Sequence, residues 1–143
     1  MVYWLRNIIG YGVVAISSTA VAQWFQSVVV SEVLIPNLIA IVLALLAINV
    51  QTVALLAVKL REISIENGRD FSRTVRQFQI AFYEQGSLLV ISLLLVAISS
   101  SHLAALNEQI LGCAAFFVLF ASLHIFIDTS IGLLFCLFPD RHQ

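Results

Sequence analysis

Charge is what this sequence has least of. Lysine and arginine together number 7 and aspartate and glutamate 8 among 143 residues, 10% in all, where a soluble domain carries about a quarter. So few charges cannot cover the surface of a water-soluble fold. Prolines are scarce as well: Pro36 falls at the start of one apolar run and Pro139 just after the last, positions that begin or stop a helix rather than break one. Of the two cysteines, Cys113 and Cys136 lie in one predicted helix about 35 Å apart, and a disulfide needs Cα atoms within about 7 Å. They do not pair with each other, and neither has the neighbours of a metal site. A Gly-rich phosphate loop, HExxH, GxSxG and paired carboxylates in a soluble cleft are all missing, so no enzymatic activity, cofactor or metal is expected. With a net charge of −1 and only a short basic stripe, direct binding to nucleic acid is not expected either.

What the sequence has is apolar length. Hydrophobic residues make up 61% of the chain and mean hydropathy is +1.02. A hydrocarbon core of about 30 Å takes about 20 apolar residues, and four runs supply them, at about 8–30, 35–58, 86–104 and 109–138. The run from Ile8 is too long for a cleavable leader, whose apolar stretch is about 7–15 residues, so the N-terminus is expected to stay. The predicted fold is all-α: one integral membrane domain over 1–143, a four-helix bundle with a short cytosolic helical hairpin, 59–85, between spans two and three. Span one carries small residues, Gly10, Gly12, Ala15, Ser18, Thr19 and Ala22, and span two carries Ala40, Ala44 and Ala47. Such faces let helix backbones approach closely in lipid and point to a homo-oligomer.

Charge placement sets the expected topology. Arg6 precedes span one, Arg141 follows span four, and Lys59, Arg61, Arg69, Arg73 and Arg76 lie between spans two and three, so four crossings put all seven on one side. The opposite loops, near 31–34 and 102–108, hold Glu32 and Glu108 but no Lys or Arg. The positive-inside rule makes the basic side cytoplasmic, with both termini there, in what is expected to be a bacterial inner membrane.

Within the hairpin, Asn67-Gly68 reads as a helix stop and Asp70 as a helix start. Phe71, Val75, Phe78 and Phe82 recur on one helical face beside a basic stripe of Arg69, Arg73 and Arg76. The face either packs on Leu60 and Ile63 while the arginines meet anionic lipid, or it docks a cytosolic protein partner.

Inside the fourth span, His124 and Asp128 stand four residues apart in the run HIFIDTSIGLLFCLF. A carboxylate at that depth requires a partner or water, and His124 shares its helix face. Counting depth from the outer end puts Asn49 and His124 both about 21 Å down, with Ser17, Ser18 and Ser92 at about 18 Å. The expected intramembrane polar cluster is therefore His124, Asp128, Asn49, Gln51 and Thr52, tied by hydrogen bonds across helix interfaces. The alternatives are a water-filled path for cations or protons, or a hydrated Asp128 marking the inner boundary.

The layout of four spans, a cytosolic hairpin and little outside resembles small membrane subunits and effectors of bacterial phage-defence systems, in architecture alone. The expected function is a non-enzymatic oligomeric membrane scaffold or sensor subunit that couples the lipid bilayer to a cytosolic protein through residues 59–85. The alternative is a small ion-conducting channel or pore-forming effector.

Overall fold

A computed structural model of the chain describes residues 2–24, 29–68, 70–100 and 108–137. All of the regular structure in them is helical. Helix α1 spans Val2–Trp24, a π-helical segment spans Val29–Leu34, and α2 (Ile35–Asn67), α3 (Ser72–Ser99) and α4 (Glu108–Leu137) follow. Three segments are long and apolar enough to cross a membrane, Glu32–Glu66, Ser72–Ser99 and Gln109–Leu134, counting the described residues only.

The region near 31–34, expected as a loop, is wound into the π-helical segment that leads straight into α2. Pro36 supplies the reason. Its ring has no N–H to give the carbonyl four residues back and crowds that carbonyl, which widens a helical turn. Asn37 compensates by donating its side-chain amide to the Val33 carbonyl at 2.8 Å.

Helix α2 continues past the apolar run to Asn67 and closes at Gly68, which adopts φ 63° and donates its N–H to the Ser64 carbonyl at 2.9 Å. That left-handed conformation is strained for any residue with a Cβ. Asp70 then accepts hydrogen bonds from both the N–H and the hydroxyl of Ser72, each at 2.9 Å. These bonds hold its carboxyl below the usual carboxylate range, so the tether weakens as pH falls through that lowered value.

The helices do not form a closed ring of four. Helices α2, α3 and α4 contact one another, whereas α1 rests on α4 and makes at most marginal contact with α2 and α3. The expected bundle is thus a three-helix core with α1 laid along one side. Helix α4 can serve this many neighbours because its apolar residues are spread around it rather than gathered in one stripe. The core lies where Leu38 and Val42 of α2 meet Leu88 of α3 and Ala115, Val118 and Ala121 of α4.

Part of the small-residue face of span one packs inside the chain, while Gly10 is exposed and a Cβ at Gly10 or Gly12 would meet nothing within 4 Å. Ala15 and Thr19 are buried against α4, and a Cβ on Gly112 would stand 3.0 Å from Val30 Cγ1 and 3.6 Å from Thr19 Cγ2. Gln109 also donates to Gln23 across the same pair of helices at 3.3 Å. On α2, by contrast, Ala40, Ala44 and Ala47 are all exposed. Only 22%, 17% and 28% of the three apolar segments is buried inside the chain, as is consistent with helices that could cross a membrane.

Candidate functional site

The five residues of the expected polar cluster divide between two places. Asn49 is buried and donates its side-chain amide to the Gln85 carbonyl oxygen, bridging α2 and α3. Gln51 is exposed, and Thr52 donates to the Ile48 carbonyl of its own helix at 2.9 Å. None of the three is bonded to His124 or Asp128, which point away from α2. The serines expected at the same level do not form a layer either. Ser17 and Ser92 donate to Val13 and Leu88, the carbonyls one turn back, at 2.9 and 2.8 Å, the local alternative that hydroxyls find on a helix.

The Asn49–Gln85 bond puts these two residues at one level of the α2–α3 pair. Of the expected docking face, Phe71, Arg73 and Arg76 stand near the α2–α3 turn, while Phe78 and Phe82 lie further along α3. Arg73 and Arg76 are exposed, Phe71 is half-buried, and Arg69 lies outside the described residues. Phe78 faces α4, its ring 3.8 Å from where a Gly132 Cβ would be, and Phe82 meets the Tyr83 ring edge-on at 6.1 Å.

His124 and Asp128 line a cleft of about 360 Å³ between α1, α3 and α4. Tyr11 of α1 forms one wall, its ring 5.4 Å from that of His124 and 6.0 Å from that of Phe117. Glu84 of α3 faces them across the opening. A second cleft of about 630 Å³ shares Ala81, Glu84 and Asp128 with the first and runs on past Thr74, Gln77 and Thr129 toward the α2–α3 turn. Glu84 and Asp128 therefore stand where the two clefts join. Among the described residues neither carboxylate is bonded to another helix, and no Lys or Arg lines either cleft. The polar end of the second cleft gives water a route to them, which is how a carboxylate can persist at this depth.

Tyr11 and Glu84 line the clefts and Gln85 bonds Asn49, although none of the three stands out in the sequence. A signal for Glu84 was present: Gln77, Ala81, Glu84 and Leu88 fall on one helical stripe, and all four line the clefts. Reading 59–85 as a water-soluble hairpin hid it. Among the described residues no three His, Cys, Asp or Glu side chains converge to hold a metal. Cys113 is half-buried with a free thiol, and the Cys136 side chain lies outside the described residues.

Because Asp128 ties no helices together, replacing it should leave the fold intact. Asp128→Asn and Asp128→Leu are both expected to keep the elution volume of the native protein on detergent gel filtration, with stability changes within about 0.5 kcal/mol. Aggregation of the Leu variant alone would restore the carboxylate to a helix-bridging role.

Comparison with protein-family models, with curated proteins and with solved structures finds no match to this chain.

Proposed function

We propose that this chain is a non-enzymatic, oligomeric membrane scaffold or sensor subunit, multi-pass in a bacterial inner membrane. Both termini and the α2–α3 turn are cytoplasmic, and the turn engages a cytosolic protein partner. One observation carries the reading: α2 is a single helix of 33 residues, about 50 Å long, against a hydrocarbon core of about 30 Å. The part beyond the core is continuous with the membrane-embedded part, so a tilt or rotation of the span moves the turn as one rigid piece. The turn carries the exposed Arg61, Arg73 and Arg76, which suit an acidic protein surface or anionic headgroups. A four-crossing topology takes α1 as a fourth span, packed on α4 through its small residues.

Topology is tested by cysteine labelling in a background without Cys113 and Cys136. Glu66→Cys and His142→Cys are expected to resist a membrane-impermeant maleimide in intact cells and to react after lysis. Labelling of either in intact cells would invert the assignment.

Partner coupling is tested by charge reversal. Arg73→Glu combined with Arg76→Glu should leave membrane insertion unchanged, since both side chains are exposed near the α2–α3 turn, and should reduce recovery of a co-purifying soluble protein at least about tenfold. Equal recovery would mean that the arginines are only a solvated face.

The joined clefts at Glu84 and Asp128 favour a second reading, a cation-conducting pore assembled from several copies. Conductance of the purified protein in liposomes supports that reading. Electrically silent liposomes together with a recovered soluble partner support the scaffold.

A further inference from the structure

Two carboxylates, Glu84 from α3 and Asp128 from α4, line both of the joined clefts, and among the described residues no Lys or Arg lines either one. A cation that enters the joined clefts is attracted by both carboxylates. Other features of the same cavity select the kind of cation. Tyr11 and Phe117 present aromatic rings to the cleft, 6.0 Å apart edge to face, a setting that attracts organic ammonium groups through the ring quadrupole. Ile8, Leu88 and Ile125 make the neighbouring wall apolar. Contact between α1 and α3 is at most marginal, so on this side the cleft lies between two helices that are not closely packed on each other. A chelated metal is the poorer fit, because the described residues offer no three converging ligands.

We propose that the α1–α3–α4 cleft binds an ammonium group carried on an apolar chain, with Glu84 and Asp128 neutralising the charge, Tyr11 and Phe117 flanking it and the Ile8–Leu88–Ile125 wall taking the chain. An amine of this kind reaches the cleft either as a membrane lipid headgroup or as a free amphiphilic amine. The site is separate from the Arg73 and Arg76 surface, so ligand binding and partner recovery can fail independently.

The test is calorimetric titration of the purified full chain in an uncharged sugar detergent with n-decylammonium, and with n-decanol as the neutral counterpart. Decylammonium is expected to bind saturably and at least about tenfold more tightly than decanol, a comparison made on the unaltered protein. Glu84→Gln and Asp128→Asn should each weaken the amine about tenfold and leave decanol unchanged. Tyr11→Leu, which keeps both charges, should weaken the amine by a smaller factor. Competition by lysophosphatidylethanolamine assigns the site to a lipid headgroup, and amine binding without such competition assigns it to a free amine. Equal affinities for amine and alcohol, or unchanged amine binding in a correctly eluting Glu84→Gln/Asp128→Asn variant, would overturn the proposal.

Discussion

Gly112→Leu should pry α1 away from α4. A single Cβ at that position already stands 3.0 Å from Val30 Cγ1 and 3.6 Å from Thr19 Cγ2, so a leucine has to displace two neighbouring segments at once. Overpacking of this kind destabilises by about 1–3 kcal/mol. Helix α1 has no second face of support, since its contacts with α2 and α3 are at most marginal. The expected result is an α1 that separates while the three-helix core persists. On titration with SDS, the variant should show an early step, read by protease cleavage within α1, ahead of the main loss of helical signal. Gly112→Ala should show the same step more weakly. A single unfolding step at the native SDS concentration in the Leu variant would mean that α1 is held by contacts other than this crossing.

Gln85→Met should destabilise the core more than the same change together with Asn49→Leu. In the native chain the two amides share one hydrogen bond, while Asn49 Oδ1 and Gln85 Nε2 are buried without partners. Removing one side chain leaves a whole amide unpaired in an apolar interface, a loss of about 1–3 kcal/mol. Replacing both by apolar groups of similar shape removes the bond and the unpaired atoms together, which is close to neutral or stabilising. The coupling between the two sites, read as shifts of the SDS unfolding midpoint in the four variants of a double-mutant cycle, should therefore be favourable by about 0.6–1.7 kcal/mol, the range for hydrogen bonds inside membranes. Additive shifts would show that the pair contributes packing alone.

Both results depend on contacts that no single helix reveals. Asn49 was legible as a buried polar residue, because an amide in the middle of an apolar run has to face protein. Its partner was not, since Gln85 stood on the far side of a boundary drawn from local hydropathy. A tract such as RQFQIAFYEQ averages polar and apolar residues into something that reads as an interfacial helix. Only the bond to Asn49 shows which level of α2 this part of α3 meets. His124 and Asp128 were found because ionisable residues stand out against LLFCLF and IFI. That they join Glu84 and Tyr11 rather than Asn49 depends on the rotation of α4 about its own axis. Four-residue spacing puts His124 and Asp128 on one face without saying which neighbour that face meets.

The sequence by itself determined the solvent and the elements. Scarce charge and long apolar runs require helices that satisfy their own backbone in lipid, and Asn67-Gly68 followed by Asp70 stops one helix and starts the next through backbone conformation and a single carboxylate. These effects act within a few residues and add along the chain, so they are readable one residue at a time. The tertiary structure alone decided that α1 lies on α4 and not in a closed ring, that a π-helical segment leads into α2 ahead of Pro36 in its first turn, and that Glu84 and Asp128 line the same two clefts. The apolar residues of helix α4 are spread around it and give no periodic signal of which face takes which partner. That choice is made by steric fit, such as the space left at Gly112 for Thr19 and Val30, a property of two surfaces together and of neither sequence segment alone.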